Sequence, residues 1–109
     1  MIVGDGKFKF ELDQNWPISI PEYWTLGQCA DIDIDSDDNA WVFSRGKHPV
    51  TKWSNDGKFM GSWGNQGDQK GEFRIPHGLN IDSEGFIWLT DHQTHHVTKH
   101  KPDGECVLE

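Results

Sequence analysis

One stretch of this chain repeats another. Residues 29–62 align with residues 76–109 at a constant shift of 47, without a gap, and ten of the 34 pairs are identical. The pairs are Ile34/Ile81, Asp35/Asp82, Ser36/Ser83, Trp41/Trp88, His48/His95, Val50/Val97, Thr51/Thr98, Lys52/Lys99, Asp56/Asp103 and Gly57/Gly104. They fall on turns and on one face of each apolar run. A repeat of this length means that one supersecondary unit is used twice, and that each unit relies on a neighbour to cover its apolar flank.

The unit reads as four short strands. In the first copy these are residues 30–35, 40–43, 49–53 and 58–62, with turns at Ser36-Asp37-Asp38-Asn39 and Ser54-Asn55-Asp56-Gly57. In the second they are 77–82, 86–90, 96–100 and 105–108, with turns at Ser83-Glu84-Gly85 and Pro102-Asp103-Gly104. Asp-Gly supplies the positive φ that a tight hairpin needs. Six Trp and six Phe against one Tyr, with 12 Gly and five Pro, suit a turn-rich sheet protein. No window of a dozen residues keeps a 3.6-residue period, so helices are not expected. The expected fold is all-β, with two four-stranded antiparallel blades of the β-propeller kind. The division is 1–28 as an N-terminal strand and ordered loop, 29–62 as blade 1, and 63–109 as connecting loop and blade 2. Residues 7–12 alternate like a half-buried strand. Residues 13–28 hold Trp16, Tyr23 and Trp24, which a disordered linker would not retain. Trp41 and Trp88 read as blade core, and Trp63 as packing between blades.

Ten Lys plus Arg against 18 Asp plus Glu give a formal charge of -8. Such a surface repels phosphate backbones, so nucleic acid is not an expected partner. No apolar run reaches the roughly 18 residues of a membrane span, and no basic-then-apolar leader follows Met1. Membrane is therefore not an expected partner either, and the compartment stays open. Cys29 and Cys106 pair or stay free on this reading.

Several stretches resemble a known family. They are Phe43-Ser44-Arg45-Gly46-Lys47-His48-Pro49, Asp56-Gly57-Lys58-Phe59, Ser62-Trp63-Gly64, Gly71-Glu72-Phe73, Ile75-Pro76-His77-Gly78-Leu79-Asn80-Ile81-Asp82 and Ile87-Trp88-Leu89-Thr90-Asp91-His92. The tandem units resemble NHL repeats, and the chain from about Val3 onward is similar to the N-terminal part of the peptidyl-α-hydroxyglycine α-amidating lyase-like family. The resemblance implies a six-bladed propeller, for which two blades are a third of the ring. Closed rings leave no open flank, and three copies with cyclic symmetry supply six blades. A homotrimer is the expected assembly.

The resemblance also implies site residues. Histidines at the Pro-His-Gly-Leu motif hold a catalytic zinc in the lyases, which makes His77 a metal ligand; the equivalent place in the first repeat is Ala30. Three imidazoles leave zinc one open position. A trimer would gather three copies of His77; otherwise His77 lines a water-filled channel. Arg45 corresponds to a rim arginine that could grip a substrate carboxylate through two parallel hydrogen bonds, or else pairs with a nearby acid. The lyases use a rim tyrosine near the position of Gln93, and Asp91 and His92 are the candidates to serve as base in its place. The cluster His92, His95, His96 and His100 has a spacing that would suit a metal site on a helix, but the repeat places these residues on a loop and a strand, where a second metal site is not expected.

Calcium is a weaker cofactor expectation, carried by family members on channel backbone carbonyls. The run Asp31-Ile32-Asp33-Ile34-Asp35-Ser36-Asp37-Asp38 lacks the Gly and Glu of an EF-hand at the required spacings. It reads instead as a strand in which Ile32 and Ile34 pack while the carboxylates face away. No nucleophile elbow or phosphate-cradling loop is present. The functional expectation is a zinc-dependent, lyase-like propeller that cleaves a carbinolamide in a small peptide-like substrate. The alternatives are a non-catalytic propeller scaffold that binds a protein partner, or a fragment of a longer lyase-like protein.

Overall fold

The computed structural model describes residues 1–22 and 24–109; Tyr23 lies outside the described residues. Both repeats form four-stranded antiparallel sheets in simple meander order. Blade 1 consists of β3 (Cys29–Ile34), β4 (Ala40–Ser44), β5 (Val50–Trp53) and β6 (Phe59–Trp63). In the connection that follows, β7 (Asn65–Gln66) and β8 (Glu72–Phe73) form a short parallel pair. Blade 2 consists of β9 (Pro76–Ile81), β10 (Ile87–Asp91), β11 (Val97–His100) and β12 (Cys106–Leu108). Ahead of both lies a hairpin, β1 (Ile2–Asp5) and β2 (Phe8–Glu11).

The turn aspartates and glycines shared by the two copies act alike. Asp35 accepts the amides of Asp37 and Asn39 and the Trp41 indole N–H at 2.8 Å; Asp82 accepts those of Glu84, Phe86 and the Trp88 indole at 2.9 Å. Each aspartate thus closes the first turn and pins the tryptophan of the second strand. Gly57 and Gly104 have φ of 90° and 98°. A Cβ there would stand 2.8 Å from Ile18 N and from Trp63 Cγ respectively, so two constraints require glycine.

The equivalence runs further upstream than the alignment. Trp16 Nε1 donates to Asn55 O at 3.2 Å, and Trp63 Nε1 donates to Pro102 O at 3.0 Å, both partners displaced by 47. Arg45 N donates to Gln28 O at 2.8 Å, and His92 N donates to Ile75 O at 2.9 Å, again at that shift. Residues 16–28 are therefore the structural counterpart of the connection 63–75, and the repeating unit begins at Trp16 rather than at Cys29.

The blades pack through one apolar core. Trp41, Phe43, Val50, Phe73, Leu79, Ile87 and Leu89 form it, with Trp63 and Ile81 against its side. Trp63 stands at the joint as expected, its ring 6.3 Å from Trp41 and 5.0 Å from His100. The two equivalent tryptophans keep the same lysine contact, Lys52 at 5.1 Å from the Trp41 ring and Lys99 at 5.2 Å from that of Trp88, but differ in burial: Trp41, over which blade 2 packs, is 3% exposed and Trp88 is half-buried.

The acidic strand is turned opposite to expectation. Asp31 Oδ2 accepts Leu79 N at 2.8 Å and Asp33 Oδ2 accepts Ile81 N at 2.7 Å, across the joint. Ile32 and Ile34 point to the other flank and are 51% and 50% exposed. Alternation was legible, but which face meets a neighbour depends on which side the neighbour lies. The reading of 7–12 as half-buried also changes: that run contains β2, and its apolar side chains Phe8, Phe10 and Leu12 are exposed, as are Met1 and Val3 beside them, since no second layer among the described residues covers the hairpin.

Candidate functional site

Three of the expected residues share one rim. Arg45 follows β4 and reaches across the joint, where its Nε donates to Pro76 O at 3.0 Å and its Nη1 to Gln28 Oε1 at 3.4 Å. That fixes the guanidinium beside the first residue of β9. His77 is the next residue, exposed. His92 follows β10, and its ring lies 6.3 Å from that of His77 with the planes 28° apart. Gln66 Nε2 donates to Arg45 O at 3.4 Å and ties the connection to the same loop. A guanidinium and two imidazoles, all open to solvent, thus converge where blade 1 meets blade 2. Such a set suits an anion with a carboxylate end and a second group that a base or a metal can engage.

Asp91 sits behind this rim rather than on it. Its carboxylate is buried and accepts the backbone amides of Arg74 at 2.6 Å, Ile75 at 3.2 Å, Gln93 at 2.9 Å and Thr94 at 3.0 Å. Burial works to raise its pKa, but those amide donors outweigh it and hold the carboxyl below its ordinary 3.8. A carboxylate so engaged positions the loop that carries His92. Nothing in the sequence signalled this, because the partners are main-chain groups and the first repeat has Ser44 in its place.

The other histidines disperse. His48 stacks on Trp24 at 3.4 Å between ring centroids. His95, its partner in the repeat, is exposed with φ of 62°, and so does not copy that role. His96 Nδ1 lies 3.1 Å from Glu109 Oε1. His100 is fully buried, with ring nitrogens 2.8 Å from Thr98 Oγ1 and 3.1 Å from Gly104 O; burial lowers its pKa below 6.5. It replaces Trp53, whose indole donates to Thr51 at 2.9 Å in blade 1. Cys29 and Cys106 are free.

Among the described residues, no three His, Cys, Asp or Glu side chains lie close enough together to hold a metal ion. The carboxylates of Asp31 and Asp33 accept backbone N–H groups, and that of Asp35 accepts the Trp41 indole N–H. No helix is long and apolar enough to cross a membrane among the described residues.

Comparison with known proteins places these features. No family model matches the chain. It is 31% identical over 126 aligned positions to peptidylglycine alpha-amidating monooxygenase of Rattus norvegicus, covering 94% of this chain and 13% of that protein. The Mus musculus protein of that kind is also 31% identical, over 117 positions, covering 89% of this chain and 12% of its own length. Peptidyl-alpha-hydroxyglycine alpha-amidating lyase 1 of Drosophila melanogaster is 44% identical over 48 residues, covering 44% of this chain and 8% of that protein. The chain is homologous to amidating enzymes over most of its length. It spans 13% or less of each of these relatives.

Proposed function

We propose that this chain is a segment of a lyase-like propeller of the NHL kind, and that the Arg45–His77–His92 rim is its share of the active site. The observation that carries the reading is the bond from Arg45 Nε to Pro76 O, which holds a guanidinium beside His77 across the blade joint. The substrate class is a small peptide-like molecule with a carbinolamide next to a carboxylate, in line with the lyase of similar sequence. Arg45 would take the carboxylate through paired hydrogen bonds. His77 would be one ligand of a zinc ion, which when bound would polarise the substrate hydroxyl. His92, positioned by Asp91, is the group on this rim suited to move a proton near neutral pH.

Zinc needs about three protein donors at a catalytic site, so the remaining ligands must come from other blades of a closed ring. Zinc analysis of the closed assembly tests this. His77→Ala should lose the metal while the far-ultraviolet spectrum is kept. Arg45→Ala should raise KM for a carboxylate-bearing substrate far more than it lowers kcat. Zinc retained in His77→Ala would refute the assignment.

A further inference from the structure

We infer that Gln28 is a positioning residue for Arg45: its neutral side-chain amide fixes the guanidinium at a second point and leaves the remaining N–H groups, and the charge, to a substrate carboxylate. The inference rests on the proposed reading of Arg45 as the carboxylate grip.

The bonds of the guanidinium set out what is free. Arg45 Nε donates to Pro76 O at 3.0 Å, and Nη1 donates to Gln28 Oε1 at 3.4 Å. A guanidinium has five N–H groups, so among the described residues three remain for an anion, one on Nη1 and two on Nη2. Held at Nε alone, the plane would swing about that single bond. A carboxylate would then bind only after the plane had been ordered, at an entropic cost that the Gln28 bond removes in advance.

The second repeat shows that the fold itself does not need this amide. Arg45 N donates to Gln28 O at 2.8 Å, and His92 N donates to Ile75 O at 2.9 Å in the same place 47 residues on. Ile75 does the main-chain work with an apolar side chain. The polar group at position 28 therefore goes with the arginine and not with the turn. Two glycines support the same conclusion. A Cβ on Gly46 would stand 2.6 Å from Leu26 O, and one on Gly27 would stand 3.0 Å from Gly46 N, so the chains flanking Gln28 and Arg45 approach closely. The counterparts of Gly27 and Gly46 are Arg74 and Gln93, so the repeat does not demand glycine at either position.

Neutrality separates glutamine from its acidic analogue. A carboxylate at position 28 would hold Arg45 at least as firmly, but it would also satisfy the charge and compete with the carboxylate of the substrate. An amide oxygen accepts the Nη1 proton without doing so.

Arg45 and Arg74 are the only arginines, which makes their guanidinium signals assignable in isotope-labelled protein by NMR. Arg74, whose Nη2 lies 3.3 Å from Asp68 Oδ2, is the internal control. In Gln28→Met, rotation about Nε–Cζ of Arg45, which exchanges its two Nη nitrogens, should quicken about fivefold, the weight of one long hydrogen bond to a charged group. Arg74 should be unchanged. N-acetylglycine, the probe carboxylate, should bind at Arg45 about fivefold more weakly in Gln28→Met than in the unaltered chain, and N-acetylglycinamide should bind in neither. Gln28→Glu should keep the slow rotation and still lose affinity for N-acetylglycine. Rotation unchanged in Gln28→Met, or equal N-acetylglycine affinity in that variant and the unaltered chain, would overturn this inference alone. So would a Gln28→Glu chain that binds as tightly as the unaltered one. Arg45 signals that N-acetylglycine leaves unmoved in the unaltered chain would overturn the carboxylate grip and this inference with it.

Discussion

Removing the carboxylate of Asp33 isolates what holds the blades in register. Ile81 N donates to Asp33 Oδ2 at 2.7 Å across the joint, and Leu79 N donates separately to Asp31 at 2.8 Å. A hydrogen bond to an ionised acceptor contributes about 1.5–3 kcal/mol, and the partial exposure of Asp33 places this one near 1.5. In Asp33→Ala the Ile81 amide has no acceptor in the folded joint, so its protection should fall by about tenfold. The Leu79 amide should keep most of its protection, because its acceptor is untouched. Residue-resolved hydrogen exchange by NMR reads both in one sample, and Asp31→Ala should reverse the pattern. Unchanged exchange at Ile81, or equal loss at both amides in each variant, would refute a brace made of two separate bonds.

Other perturbations follow from the same geometry. Trp41→Ala should destabilise by about 3–5 kcal/mol but Trp88→Ala by only about 1 kcal/mol, measured by urea unfolding of this chain, because Trp41 is buried under blade 2 and Trp88 is half-exposed. Gly104→Ala should cost about 1–3 kcal/mol in the same assay, since both its φ of 98° and the Trp63 ring 2.8 Å away oppose a Cβ. His100 is neutral in its buried site, with a pKa below that of the unfolded chain, so the unfolded state binds the proton more readily. Stability should therefore decline as pH falls from about 6.5 until the folded-state pKa is passed, and His100→Trp should remove that dependence.

The strands and turns were legible because their signals are local. Asp56-Gly57 and Asp103-Gly104 announce hairpins wherever they occur, and Asp35 and Asp82 bond within six residues to Trp41 and Trp88. The start of the repeat at Trp16 was hidden. Over 16–28 and 63–75 only the tryptophan is identical, and the shared bonds run to main-chain oxygens that any residue provides. The first strand of the N-terminal hairpin, Ile2–Asp5, escaped notice because Gly4 and Gly6 interrupt its pattern. Asp31 and Asp33 were assigned to the wrong face because a strand's alternation does not say which side meets another sheet. The rim was legible only through resemblance: Arg45, His77 and His92 are scattered in sequence, and the Pro76 carbonyl that unites Arg45 with His77 carries no side-chain signal.

The central claim is that residues 16–62 and 63–109 are one unit used twice, with the trailing face of the first closed by the leading face of the second. Inter-residue NOEs from the Phe43 ring test it most directly. Contacts from that ring to the Phe73 ring and to the methyl groups of Leu79 and Leu89 are the predicted result. A Phe43 ring whose NOEs stay within its own four strands would contradict it.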